Sequence, residues 1–510
     1  MGFSDPFPGY SIVLRTILFG LVPLFMVWQL ARLRRALHVF QLEGYKRSRF
    51  LEWHHGNPRR ALRLSPIPTK KPLVMTGRAW RVLVLAAALS LLAILLASAA
   101  AHLAGGWPFD VATWAIVTAL VALGAPRLIV AADWLFGPVQ RAINARYVRA
   151  ARRRLDEVRP QVIGVTGSFG KTSTKFAIEH LLAPSGGALA TPGSFNTPMG
   201  VCRAINEHLT SSHRFLIVEM GAYGRGEIRE LCELVRPSVG VLTAIGPAHL
   251  ERFGSMDNIR SAKYELIESL PSDGVAIMNG DDAEVRALAD STSRVRVVRY
   301  GLDPGGAPDV TAHHMEVTDE GTTFEIVHTS RGETASVATR LLGSHSLGHI
   351  LAAVAVAGTA GMSVADLVEA IACLQPAEHR LQIISGAGGV TVIDDAYNSN
   401  PDGAAAALDV LAAMPARRKV IVTPGMVELG KMQYEANERF GAHAARVADA
   451  LIVVAAVNRA AITAGARRVD GGVEVVAVGS LLEAQKKLEG MLAPGDAVLF
   501  ENDLPDHLEA

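Results

Sequence analysis

The chain has 510 residues, half of them hydrophobic, with 50 Lys and Arg against 49 Asp and Glu for a net charge of +1. This balance gives no support for a nucleic-acid binder, which would carry a basic excess, and three scattered cysteines form neither a zinc pattern nor a disulfide framework. The length calls for two to four structural units, and a mean hydropathy of +0.25 is high for a purely soluble enzyme.

The apolar excess concentrates in residues 1–135, which predict a membrane region with about three transmembrane helices. Residues 11–31 are about long enough to span, since a bilayer needs roughly 20 apolar residues. Arg15 interrupts them near one end, where it can snorkel. Residues 82–104 are uncharged throughout and form the strongest span. Residues 107–130 make a third, interrupted by Pro126 and Arg127. Between residues 32 and 81 there are thirteen Lys or Arg against Glu43 and Glu52, while the segments flanking that region on the far side have none. The positive-inside rule therefore puts 32–81 in the cytoplasm. Three crossings then deliver everything after about residue 140 there, giving a multi-pass cell-membrane protein with cytoplasmic catalytic domains. Residues 136–160 read as a basic linker helix with Arg at helical spacing, interfacial or simply solvated.

From Gln161 short Val/Ile-rich strands alternate with helical patterns, the mark of an α/β fold with a parallel sheet. QVIGV (161–165), FLIVEM (215–220), SVGVLTAI (238–245) and GVAIMN (274–279) are predicted strands of one sheet. Residues 295–340 alternate at period two and predict a small antiparallel addition. A helical stretch follows, and after His379–Arg380 a second α/β alternation runs through GVTVID, RKVIVTPG, ALIVVAA, VEVVAVG and DAVLF. The predicted domains are thus an ATP-binding domain at 161–378 and a Rossmann-like domain at 379–510.

The first chemical motif is GVTGSFGKTST (164–174), after a strand and opening a helix. Glycines let backbone wrap a phosphate chain, and the helix start offers unpaired N–H groups and a positive dipole end. Gly167, Gly170, Lys171, Thr172 and Ser173 are the candidate nucleotide-binding residues, with Lys171 reaching the phosphates and the Thr172 hydroxyl a Mg²⁺.

The spacing G-x-x-G-x-x-G-K-T, rather than G-x-x-x-x-G-K-T, resembles the ATP loop of the Mur ligase family. Further motifs follow in that family's order: TPGSFNTPMGV (191–201), VEMGAYGRGEI (218–228), IGPAHLERFGSMDNIRSAKYEL (245–266), IDDAYNSNP (393–401) and GMVELG (425–430). The resemblance covers roughly 161–450 and is nearest to the MurF branch, the D-alanyl-D-alanine-adding ligases. It implies an ADP-forming carbon–nitrogen ligase. A carboxylate receives the γ-phosphoryl of ATP, and the acyl phosphate is displaced by the amine of an amino acid or dipeptide, in peptidoglycan or cell-surface polymer synthesis. It further implies Thr172 and Glu219 as ligands of one Mg²⁺ and His249 as ligand of a second. Lys263 would be a carbamylated lysine that serves as a metal ligand, and Arg380 would lie near the phosphates. Asp394 and Asp395 would meet the nucleotide where the last domain closes, with strand-end capping as the alternative.

The sequence departs from the family in four places. The membrane region stands where the family has a soluble UDP-binding domain, which favours a carboxylate substrate held at the membrane or among its lipids, or an anchoring role alone. G-x-H-N-x-x-N reads G-S-H-S-L-G-H (343–349), so Ser346 and His349 replace both asparagines, and His349 could stack on adenine. The Asp of G-D-M-x-E-L-G is absent at Gly425–Met426. The C-terminal K-G-S-R segment is replaced by the acidic LFENDLPDHLEA (499–510). Asn279 and Asp281 could close a turn, Asn398 and Asn400 look substrate-side or turn-shaping, and Cys202 and Cys373 read as packing residues. Two other functions stay open: a membrane-bound polyglutamate-type synthase and a non-ligating ATP-dependent regulator.

Overall fold

The computed structural model describes residues 8–58, 72–104, 109–193, 195–318, 321–341, 343–385, 387–397, 399–469 and 472–503. The chain separates into two compact units, Met1–Ala145 and Arg146–Ala510.

The first unit is helical: α1 (Pro8–Leu42), α2 (Arg47–Gly56), α3 (Gly77–Ala104), α4 (Phe109–Leu123) and α5 (Ala125–Val158), the last running on into the second unit. Leu33, Leu37 and Phe40 of α1 pack with Phe50 of α2, Val82, Leu83 and Ala86 of α3 and Ile129 of α5. Arg47 and Arg78 both bind Asp133, each N–O distance 2.8 Å, with the carboxylate side chain only 6% exposed. Meanwhile Leu91, Leu92, Leu95 and Leu96 of α3 and Ile116 and Leu120 of α4 stay more than half exposed. Among the described residues one helix, over Gly77–Ala100, is long and apolar enough to cross a membrane. The expected continuous span 107–130 is instead broken. Ile116–Leu123 and α5 meet at a 67° bend, because Pro126 suits the first turn of a new helix but cannot continue an old one. Residues 107 and 108 of that span lie outside the described residues.

In the second unit a nine-stranded sheet contains β1 (Gln161–Thr166), β2 (Ala188–Ala190), β3 (Phe215–Glu219), β4 (Val239–Leu242), β5 (Val275–Asn279), β6 (Arg296–Tyr300), β7 (Val310–Thr318), β8 (Gly321–His328) and β9 (Glu333–Thr339). Their order is β2-β3-β1-β4-β5-β6-β7-β8-β9. Pairing is parallel as far as β7 and antiparallel beyond. The central parallel strands β1, β3 and β4 are buried on both faces, which explains their unbroken Val/Ile runs. Residues 296–300, expected in the antiparallel addition, join the parallel part. Their alternation reflects uneven cover of an inner strand, with Val298 and Tyr300 buried and Arg296 exposed. The sheet grows in opposite directions from β1, so a crevice opens at the carboxyl end of that strand.

The second sheet holds β10 (Gln382–Ser385), β11 (Thr391–Asp395), β12 (Lys419–Thr423), β13 (Ala450–Val454), β14 (Glu474–Val478) and β15 (Ala497–Glu501), in the order β10-β11-β15-β12-β13-β14. Only β10 is antiparallel to its neighbour.

Candidate active site

The turn after β1 leads into α6 (Lys171–Leu182) and is locked onto the end of β4. Ser168 N–H donates to Ala244 O at 2.8 Å, and the Thr243 hydroxyl donates to Phe169 O at 2.5 Å. Two glycines are required here. A Cβ on Gly167 would meet Thr243 Oγ1 at 2.0 Å, and Gly170 has φ +80° with the His349 ring 3.0 Å from where its Cβ would stand.

Lys171 Nζ donates to Gly167 O (2.7 Å) and Ser168 O (3.1 Å). Burial pushes this amine down to about 8; Glu219 opposes the shift and Arg380 adds to it. Thr172 donates its hydroxyl to Glu219 Oε2 at 3.0 Å, and Asn196 Nδ2 donates to Glu219 Oε1 at 3.2 Å. Glu219 ends β3 and is 2% exposed. The structure thus brings together Lys171, Thr172, Glu219 and Arg380, while Ser173 sits half-buried one residue further into α6. Two hard oxygen donors side by side fit Mg²⁺. Among the described residues no three His, Cys, Asp or Glu side chains are grouped to hold a metal ion.

Lys263 lies on α7 (Met256–Glu268) and is 3% exposed. Burial holds its amine well below the usual range, and Lys171 adds to the fall against Glu227, Glu265 and Glu219. His249 follows β4 in a left-handed conformation, φ +56°. Its Nδ1 bonds Glu428 Oε2. Burial lowers its pKa; Glu428 opposes this, while Lys171 and Arg252 reinforce it. His249 is therefore an electrostatic neighbour of Lys171 rather than part of the Thr172–Glu219 pair.

His349 stands in α8 (Ser344–Thr359), its Nδ1 3.0 Å from Thr174 Oγ1, so the ring lies against the phosphate turn. Arg380 lies over the Tyr397 ring at 4.7 Å. Burial lowers its pKa, opposed by Asp395, Tyr397 and Glu219. Asp394 Oδ2 pairs with His379 Nδ1 at 2.7 Å and its Oδ1 accepts Ala396 N–H, while Asp395 Oδ1 accepts Leu381 N–H. Both carboxylates thus brace the chain entering the second sheet, as the capping alternative requires. Asp395 is driven up to about 7 by burial and by Glu501, its register partner on β15. Asn279 and Asp281 close turns, and Asn400 caps the helix Pro401–Ala413 through Gly403 N–H. Asn398 lies outside the described residues, as do 504–510 of the acidic terminus. Cys202 is buried as expected, but Cys373 is exposed: it caps the end of the helix Val364–Ala372, where the apolar face has already turned away.

Sequence reasoning missed Lys175. It is fully buried, with Nζ donating to Thr191 O (2.8 Å) and Gly193 O (2.6 Å) and lying 3.2 Å from Glu219 Oε2. Its signal was present, since a lysine four residues after Lys171 shares that helix face. Glu428 and Arg252 were also missed as functional residues, and their Nη2–Oε1 contact is 2.5 Å.

Comparison with known proteins gives a consistent picture. Residues 165–357 match the Mur ligase middle domain, and residues 379–501 match the domain described as Mur ligase, glutamate ligase domain. The UDP-N-acetylmuramoyl-tripeptide--D-alanyl-D-alanine ligase of Mycobacterium bovis is 36% identical over 364 residues, covering 67% of this chain and 70% of that protein. Among solved structures, MurF ligase from Thermotoga maritima in complex with ADP aligns with a TM-score of 0.63 at 26% identity, over 72% of this chain and 82% of the other. MurF from Acinetobacter baumannii gives 0.62 at 27% identity, over 70% and 77%.

Proposed function

The chain belongs to the Mur ligase family, and from that premise we propose how its residues join an acid to an amine. It is a MurF-like, ATP-dependent, ADP-forming carbon–nitrogen ligase of peptidoglycan synthesis. A carboxylate oxygen takes the γ-phosphoryl and ADP leaves. The amine nitrogen then bonds the acyl carbon, phosphate departs with the C–O electron pair, and the amine sheds a proton. The first step brings two anions together, so its barrier falls where cations are fixed in advance.

Lys171 and Arg380 are those cations, and Lys171, poised at about 8, is held protonated beside a phosphate. Thr172 and Glu219 would hold a Mg²⁺ ion, which would supply positive charge to the transferring phosphate. Lys175, 3.2 Å from Glu219 Oε2, holds that carboxylate in place. His249 would be a ligand of a second Mg²⁺. Lys263, a buried amine held well below the usual lysine range, would add CO₂ with loss of a proton and offer the resulting carbamate as a metal ligand. The observation that carries this reading is the 3.0 Å Thr172–Glu219 contact at the mouth of a glycine turn, with Lys171 and Arg380 as its electrostatic neighbours.

The mycobacterial relative is named for a UDP-linked muramoyl tripeptide and D-alanyl-D-alanine. For this chain we assign the same classes, a peptide carboxylate and an amino acid or dipeptide, with the carboxylate partner held at a membrane. Support comes from the exposed leucines of α3 and from the Gly77–Ala100 stretch of mean hydropathy 2.7. On this reading the Gly77–Ala100 helix anchors the chain, and its catalytic part faces the cytoplasm. Nucleic acid has no place in this scheme. Extraction of the full chain from membranes by alkaline carbonate would remove the anchoring part of the proposal. The ligase part is tested by Lys171→Ala: phosphate release stimulated by an acceptor dipeptide should vanish, and an undiminished rate would overturn it.

A further inference from the structure

The loop 424–430 follows β12, and three buried asparagines brace it. Asn437 Oδ1 accepts Met426 N–H at 2.8 Å while its Nδ2 donates to Met426 O at 2.9 Å. Asn458 Nδ2 donates to Pro424 O (3.0 Å) and Met426 O (2.9 Å), and Asn502 Nδ2 to Gly425 O (2.6 Å). All three residues are more than nine-tenths buried. What this scaffold holds out is Glu428, in a left-handed conformation at φ +63°. A non-glycine residue rarely adopts that region, and it persists only where its surroundings over-determine it.

Glu428 reaches across to the middle domain. One carboxylate oxygen bonds His249 Nδ1 and the other accepts Arg252 Nη2 at 2.5 Å. Arg252 lies over the Tyr223 ring at 4.6 Å, and that ring meets His249 edge-on at 4.7 Å. His249 is itself left-handed at φ +56°. Two strained backbones on two domains therefore meet at a single carboxylate, 16% exposed. A carboxylate acceptor fixes the proton on Nδ1, so in the neutral ring Nε2 carries the lone pair.

We propose that Glu428 is an interdomain latch and a positioning residue: by docking on His249 and Arg252 it sets the imidazole with Nε2 as acceptor, and only when the C-terminal domain is closed. This rests on His249 acting at the phosphate site as proposed above. Domain closure is thereby coupled to the competence of one side chain. Hydrolysis without the closed arrangement is suppressed, because an undocked domain leaves the imidazole unset.

The test uses the full chain in detergent, with Glu428→Ala and Glu428→Gln. Loss of a carboxylate that orients a metal-binding histidine costs about 10–100-fold in activity. Glu428→Ala should lower kcat by that factor with KM for ATP within about threefold. It should also raise amide hydrogen exchange in both 246–255 and 424–430. Glu428→Gln, of nearly equal shape and with one carbonyl acceptor, should fall between; it also serves if the alanine variant does not fold. Unchanged exchange in the 246–255 segment would overturn the latch whatever the activity, and unchanged kcat would overturn the positioning role. Exchange is read without turnover, so a wild-type chain that does not ligate would sink the ligase mechanism while leaving the latch separately decided.

Discussion

Replacing Lys175 by Met removes a charge while nearly keeping the side-chain length. The Nζ is fully buried and serves three oxygens, Thr191 O, Gly193 O and Glu219 Oε2, at 2.8, 2.6 and 3.2 Å. Glu219 keeps its bonds from Thr172 and Asn196, but its carboxylate, 2% exposed, loses the cation beside it. Removing one partner of a buried ion pair costs about 3–5 kcal/mol. At about 2–4 °C per kcal/mol for a domain of this size, that is a fall in Tm of about 6–20 °C. Differential scanning fluorimetry on the full chain in detergent measures it. Magnesium and ATP should shrink the deficit, because a metal ion on Glu219 replaces the missing charge and ligand binding stabilises by mass action. Lys171→Met provides the contrast: its half-buried Nζ bonds only two loop carbonyls, so stability should change little while nucleotide turnover collapses. A Tm within about 2 °C of wild type for Lys175→Met would show that the buried pair does not organise the site.

Gly167→Ala places a Cβ 2.0 Å from Thr243 Oγ1, so the turn must shift; calorimetry should show ADP affinity down at least about tenfold, and overpacking should cost about 1–3 kcal/mol. Lys263, lowered well below the ordinary lysine value, binds fewer protons folded than unfolded, so this site's stability rises with pH between its lowered and ordinary values. The neutral amine should give a carbamate signal in ¹³C NMR with labelled bicarbonate, lost on acidification and in Lys263→Ala. Asp395, raised from 3.8 to about 7, has the opposite sign: its contribution is full below its unfolded value and is lost as pH rises through about 7. Asp395→Asn should flatten the decline in Tm across that window, and an unchanged slope would exclude Asp395 as its source.

The turn from β1 into α6 was legible because its signals are local. An apolar run, three glycines and an amphipathic start lie within some twenty residues. The parallel strands β3, β4, β5, β12 and β13 were legible for the same reason, since double-sided burial demands unbroken apolar residues. By contrast, β10 escaped notice because it is a four-residue antiparallel edge strand whose Ile383 and Ile384 are both exposed, so neither periodicity nor apolar length marks it. The partnership of His249 with Glu428 spans 179 positions and exists only after two sheets have folded and docked. His349, read from motif position as a residue that could stack on adenine, packs against Thr174 and Gly170, a contact its motif position did not foretell. Lys175 was overlooked because an exposed and a buried lysine look alike in a helix until Thr191 and Gly193 fold over one of them.

The charge pattern explains why these groups share one crevice. Lys171, Lys263 and Arg380 are each held below their ordinary values by burial, with Arg380 adding to the fall at Lys171 and Lys171 to that at Lys263. A site with that history favours anions, since an arriving phosphate chain relieves the repulsion and returns protons to the amines. Glu219 interrupts the pattern, and Lys175 beside it makes that one carboxylate tolerable until a metal ion arrives. All of these side chains belong to Arg146–Ala510.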